Sequence, residues 1–120
     1  DPSLPRMRAA ARFLVGEHDF ASFCRRPEAG GTVRRLERLA VSRRRDRVEV
    51  LARANAFCHQ MVRSLVGTLV SVGEGRLAPE EMPAILAARD RRRAGPVAPP
   101  HGLTLERVIY GPLTAARSRR

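Results

Sequence analysis

At 120 residues the chain is long enough for one domain with a single modest core. It contains no run of about 18 apolar residues, which excludes a membrane-spanning helix, and its N-terminus carries no pattern of an export signal. Two cysteines, Cys24 and Cys58, are too few for a disulfide framework, so a reduced, cytoplasmic setting is expected. Net charge is +11, and all 23 basic residues are arginine. Guanidinium groups stay charged and grip phosphate through a planar fork, so this balance points to a polyanion. With four Phe, one Tyr and no Trp, a platform of stacked aromatics for single strands is not expected. Structured RNA, held by backbone and shape, suits the composition better.

Along the chain, Leu4, Met7, Ala11, Leu14 and Val15 mark one face of a helix, with Ser3 as N-cap and Gly16 as its end. His18 to Cys24 shows little periodicity, and Arg25 to Gly31 reads as a loop. Residues 32–41 suit a helix or a strand. The next segment decides for a strand, because Val48, Val50, Ala52, Ala54 and Ala56 alternate with polar residues from Arg47 to Phe57. Ser42 to Asp46 then joins two strands of a hairpin. His59 to Val72 is a helix with an apolar stripe of Met61, Val62, Leu65, Val66, Leu69 and Val70, about half its circumference wide. A second helical stretch runs from Pro79 to about Arg89, and Arg89 to Pro100 is a basic connection rich in Pro and Gly. Leu103, Leu105 and Ile109 mark a last strand, with Val108 and Tyr110 on its other face, and residues 111–120 read as a disordered basic tail. The expected fold is α+β: a small antiparallel sheet with helices on one face and the other face open to a partner.

Chemistry is sparse. Cys24, Cys58, His18, His59 and His101 show no metal-ligand spacing, no third group orients a Cys/His pair, and no glycine-rich phosphate loop follows a strand. On the helix from His59, steps of 100° place His59, Arg63 and Gly67 in one column at the margin of the stripe. Arg63 there is either a snorkelling side chain covering the core or a guanidinium aimed at a carboxylate or phosphate. Gly67 leaves room for another chain, and few carboxylates here suit Arg63, which places its partner elsewhere. The clusters Arg25-Arg26, Arg43 to Arg45 and Arg91 to Arg93 are individually solvated charge, but three of them favour RNA contact. Phe20 and Phe23, three apart, read as local core before base-stacking groups.

The runs Gly16-Glu17-His18-Asp19-Phe20-Ala21-Ser22-Phe23-Cys24, Asn55-Ala56-Phe57-Cys58-His59-Gln60-Met61-Val62-Arg63-Ser64-Leu65-Val66-Gly67 and Ala98-Pro99-Pro100-His101-Gly102-Leu103 occur in that order. Together they resemble the C-terminal half of the tRNA pseudouridine synthase A (TruA) family, from about residue 4 to residue 110. The resemblance implies a homodimeric isomerase that converts uridine to pseudouridine in the anticodon arm of tRNA without cofactor or metal. It implies a domain over residues 1–110, partnered by an N-terminal domain that carries the catalytic aspartate of an Arg-Thr-Asp-x-Gly-Val-His motif. That motif and the family's active-site tyrosine are absent from these 120 residues, so the segment alone is expected to be inactive. By resemblance Arg63 pairs with that aspartate, and Leu103 lines the uracil pocket. His18, Phe20, Arg25, Arg34, Asn55, His59 and His101 match positions at the RNA cleft. The competing expectation is a non-catalytic RNA-binding module or tRNA folding helper.

Overall fold

Ser3 accepts the amide of Arg6 at 3.3 Å and opens helix α1 (Leu4–Leu14), the service a short side-chain oxygen gives an otherwise orphaned amide. A computed structural model of the chain describes residues 2–25, 29–96 and, as backbone only, 104–109. Met7, Ala10, Ala11 and Leu14 of α1 are buried, whereas Val15, expected on the same face, is 39% exposed because the helix has ended. Gly16 takes a φ of +123°, a conformation that side chains rarely adopt, and turns the chain directly into a strand.

That strand, β1 (Gly16–Asp19), was not among the expected elements: it begins at the glycine read as the helix end and runs into the stretch from His18 that lacks periodicity. Four residues are too few to display alternation, and its identity comes from pairing with β2 (Val33–Arg44), antiparallel, with His18 opposite Arg34. β2 pairs antiparallel with β3 (Arg47–Ala54) across a turn of Arg45 and Asp46 alone, shorter than the expected 42–46. Arg45 adopts φ 58° there. A bulge between Leu36 and Arg38 shifts the register, so Leu36, Leu39 and Val41 all face the core although their spacing is not strictly two. Val48, Val50, Ala52 and Ala54 of β3 are buried as the alternation predicts.

Helix α2 (Met61–Gly73) and helix α3 (Met82–Ala88) follow, the latter led in by a 3-10 turn at Pro79–Glu81. Strand β4 (Thr104–Ile109) completes the sheet in the order β1-β2-β3-β4. The sheet is antiparallel over β1 to β3, as expected, but β4 runs parallel to β3. The reason is the connection: a path through two helices carries the chain back to the end of the sheet where β3 began. The residues placed on β4 by sequence begin with Leu103; that residue, His101, Tyr110 and the basic tail lie outside the described residues.

Against expectation, α2 is far more than half buried. Every residue from Met61 to Gly73 is buried except Val70, which is partly so, and Arg63, which is exposed. Its small polar side is covered from within the chain. Gly95 donates its amide to Thr68 Oγ1 at 3.0 Å, and a Cβ at Gly95 would stand 2.9 Å from the Thr68 Cα and 3.1 Å from the Gly67 carbonyl oxygen. Residue 95 of the same chain thus reaches the carbonyl of Gly67, the position where a close approach by another chain was expected. At the other end Arg6 donates to the carbonyls of Val72 (2.9 Å) and Leu77 (3.0 Å), a cation set at the negative end of α2.

The cysteines also depart from expectation. Cys24 and Cys58, 34 residues apart with Cα atoms separated by 5.6 Å, are joined as a disulfide. Spacing in sequence carried no sign of this pairing, because it depends on how the Ala21–Phe23 turn packs beside the entrance to α2.

Candidate functional site

One end of the sheet gathers segments that are remote in sequence. The hydrogen bond from the Phe20 amide to the Thr32 carbonyl (2.9 Å) continues the β1–β2 ladder into the 3-10 turn Ala21–Phe23. Phe20 and Phe23 are both 0% exposed and meet edge to face at 6.0 Å. A ring with no exposed surface cannot stack on a base, so Phe20 is a core residue, the first of its two readings from sequence. It packs against His18, whose ring it meets at 5.6 Å and near a right angle. His18 is itself part-exposed, and its Nε2 lies 3.2 Å from the Val15 carbonyl oxygen.

Across the ladder, Arg34 is partly buried and donates through Nη1 to the carbonyls of Gly31 (3.1 Å) and Val33 (2.9 Å). Asn55 extends the β2–β3 pairing past the bulge. Its Oδ1 accepts the Arg35 amide at 2.7 Å, and its own amide donates to the Arg35 carbonyl at 3.2 Å. Arg25 is exposed, and its amide donates to the His59 carbonyl at 2.9 Å. So His18 and Arg34 are cross-strand neighbours, Arg25 and His59 are bonded, and Asn55 serves the sheet backbone.

Arg63 occupies the third position of α2, one turn from His59. It alone of the residues in that helix is exposed. No acidic residue lies in this first turn, and no side chain caps it. A cation here opposes the helix dipole at a cost of about 0.3–1 kcal/mol, and such a local conflict marks positions kept for something other than stability. An anionic group brought to this turn would meet both the guanidinium and the positive helix end.

Asp19 escaped the sequence reading. Its Oδ1 accepts from the Ala21 amide (3.1 Å) and the Thr32 hydroxyl, and its Oδ2 lies 3.1 Å from Arg89 Nε. The signal was available: Asp two residues before an amide in a turn-rich stretch is a common local cap. Phe13, His18, Asp19, Leu86 and Arg89 line a recess of about 410 Å³ beside this pair. Behind it Ser22 donates to the Ile85 carbonyl (2.6 Å) and accepts the Asp90 amide (2.8 Å), locking the turn to the end of α3.

The arginine clusters divide between two tasks. Arg91 donates to the Gly95 carbonyl at 3.1 Å, and burial alone pulls its pKa below the ordinary value. Arg92 grips Asp90 through Nε (3.1 Å) and Nη2 (2.9 Å), and that hydrogen bond is the main reason the Asp90 carboxyl sits below its usual pKa. Arg93 and Arg43 to Arg45 are exposed. Among the described residues, no group of three or more His, Cys, Asp or Glu side chains is placed to hold a metal ion, and no helix is long and apolar enough to cross a membrane.

Fold and site thus define an arginine-rich α+β domain with one helix-covered sheet face and an exposed arginine on an otherwise covered helix. The tRNA pseudouridine synthase family model matches residues 10–111, and the chain belongs to that family. It is 57% identical over 110 residues to a tRNA pseudouridine synthase A of Frankia casuarinae, covering 91% of this chain and 40% of that protein. Corresponding enzymes of Allorhizobium ampelinum (50% over 108 residues; 87% of this chain, 40% of that protein) and Chlamydia trachomatis (44% over 111 residues; 92% and 42%) are also similar. The chain spans about 40% of the length of these curated relatives.

Proposed function

We propose that this chain is the C-terminal half of a cytoplasmic tRNA pseudouridine synthase that isomerises uridine in the anticodon arm of tRNA. Its part is to present Arg63 to a catalytic aspartate held by an N-terminal domain, to form part of the RNA cleft and to contribute surface to a homodimer. The observation that carries this reading is the position of Arg63: exposed on a helix whose other residues are covered, in a first turn without an acidic side chain. A carboxylate entering a base-sized pocket tends to take up a proton as it loses water, and an adjacent guanidinium favours the ionised form and fixes its direction. Leu103 would supply apolar wall for the flipped base, and His18, Arg25, Arg34, His59 and His101 would meet the RNA around it. Neither cofactor nor metal enters this chemistry.

In a protein that carries both halves, Arg63→Lys should lower turnover on tRNA by a factor of roughly 100 or more, since a point charge does not reproduce a two-pronged contact. Affinity for tRNA should change less than about threefold, because lysine keeps the positive charge and the arginines that would neutralise phosphate are untouched. Unchanged turnover removes Arg63 from the mechanism. The second reading, a non-catalytic RNA-binding module or tRNA folding helper, is favoured by the lack of an Arg-Thr-Asp motif in the 120 residues. The reading frame upstream of Asp1 discriminates: the motif there supports the enzyme, and its absence supports the module.

A further inference from the structure

The entrance to α2 is held in an unusual way. Gln60, just before the helix, sits in the left-handed region at φ 63° and offers no side-chain cap. A non-glycine residue persists in that conformation only where its surroundings over-determine it. Two contacts do so here, both from the segment after the Ala21–Phe23 turn. The Arg25 amide bonds to the His59 carbonyl, and Cys24 is bonded to Cys58. The Met61 amide then closes on the Cys58 carbonyl at 3.0 Å, and the Ser64 amide on that of Gln60 at 3.0 Å. Arg63 lies within this same turn. The site also accommodates the reduced state, because Cys24 Sγ stands 3.1 Å from the Phe20 carbonyl oxygen, an acceptor for a thiol hydrogen once the bond is open.

We propose that Cys24 and Cys58 form a redox-responsive clasp, a reversible dithiol/disulfide site whose closed form orders residues 58–64. Closure needs an oxidant, which is a low-molecular-weight disulfide such as oxidised glutathione. One cysteine thiolate attacks a sulfur of that disulfide and expels a small thiolate, leaving a mixed disulfide on the chain. The second cysteine, having lost its proton to solvent, attacks the chain-side sulfur and expels the other small thiolate. The two chain thiols are thereby oxidised, and the small disulfide is reduced to two thiols. Both cysteines are only 4% exposed, so exchange proceeds through local opening of the junction and is slow compared with that of an exposed cysteine.

The clasp stands independently of the role given to Arg63; only its effect on turnover rests on that role. The test takes the intact protein equilibrated with oxidised or with reduced glutathione, trapped with an alkylating reagent and weighed. The reduced form should gain two alkyl groups at Cys24 and Cys58, and the oxidised form none. In the oxidised form, amide hydrogen exchange at Arg25, Met61 and Ser64 should be at least tenfold slower, with exchange in α1 unchanged. A Cys24→Ser, Cys58→Ser protein should match the reduced form in either buffer; should it fail to fold, the wild-type comparison alone decides. Thiols that remain alkylatable at every ratio of the two glutathiones overturn the proposal. So does a closed bond that leaves those three amides exchanging as before. If exchange responds to redox state while turnover on tRNA does not, the clasp stands and the assignment of Arg63 is what fails.

Discussion

The two faces of the sheet are built on different principles. Toward the helices stand Leu36, Leu39, Val41, Val48, Val50, Ala52 and Ala54, none more than 8% exposed, packed with Met7, Leu14, Leu65 and Leu69 into one continuous core. On the outer face, Glu37 lies between Arg35 (3.4 Å) and Arg53 (3.5 Å), and Glu49 between Arg44 (3.7 Å) and Arg47 (3.4 Å). Those glutamates are only 10–12% exposed, whereas the arginines around them are 41–69% exposed. Burying a Leu-sized side chain stabilises by about 1.5–3 kcal/mol, and an exposed ion pair by about 0–1 kcal/mol. Stability is therefore concentrated on the helix face, while the outer face carries charge.

The largest expected effect tests the helix side. Leu65→Ala removes a fully buried side chain from the centre of α2 and should cost about 2–5 kcal/mol, read from denaturant unfolding. A loss below about 1 kcal/mol would mean that α2 is not the keystone its burial indicates. Next comes Gly95→Ala. The added methyl would stand 2.9 Å from the Thr68 Cα, a backbone atom that cannot swing aside. The segment carrying Gly95 must lift from α2, at a cost of about 1–3 kcal/mol. Loss of protection at the Gly95 amide, with α1 unaffected, would localise the damage.

Local patterns in the sequence account for most of the helix side and little of what joins the segments. Ser3, the β3 alternation and the Leu65–Leu69 stripe each report on a periodicity within one element, so α1, β3 and α2 are legible. β1 is too short to show a period, and the direction of β4 is a property of the crossover rather than of its own residues. The cover over α2 was hidden for a related reason. Ser64, Thr68 and Ser71 look like a solvated side, yet their small size is what lets residue 95 come close. Cys24 with Cys58, and Asp19 with Arg89, are joined only by tertiary packing. Composition also says nothing of which arginines serve the fold: Arg91, counted in a cluster expected to favour RNA contact, bonds the Gly95 carbonyl, and Arg6 and Arg8, outside those clusters, bond the backbone carbonyls of Val72, Leu77 and Val41.

Within that group Arg6→Ala should have an intermediate effect. It strips two carbonyls of their donor, one of them in the last turn of α2, and should cost about 1–3 kcal/mol. Binding to tRNA at fixed salt should remain within about twofold, since this guanidinium faces the protein. A large loss of tRNA affinity without loss of stability would place Arg6 on the RNA side and blur the division between the faces.

The smallest change tests the outer face most directly. Glu37→Gln keeps the side-chain shape at the β2 bulge and removes the charge shared by Arg35 and Arg53. Because both partners are well exposed, stability should fall by less than about 1 kcal/mol, and raising the salt should erase the difference from wild type. Affinity for tRNA at low salt should rise by a few fold, since two guanidiniums lose a competing anion and the net charge increases by one. An affinity that falls instead would mean that Glu37 holds the two forks in a geometry the RNA requires. A salt-independent loss of stability beyond about 2 kcal/mol would carry the opposite lesson, that the outer face is part of what keeps the chain folded.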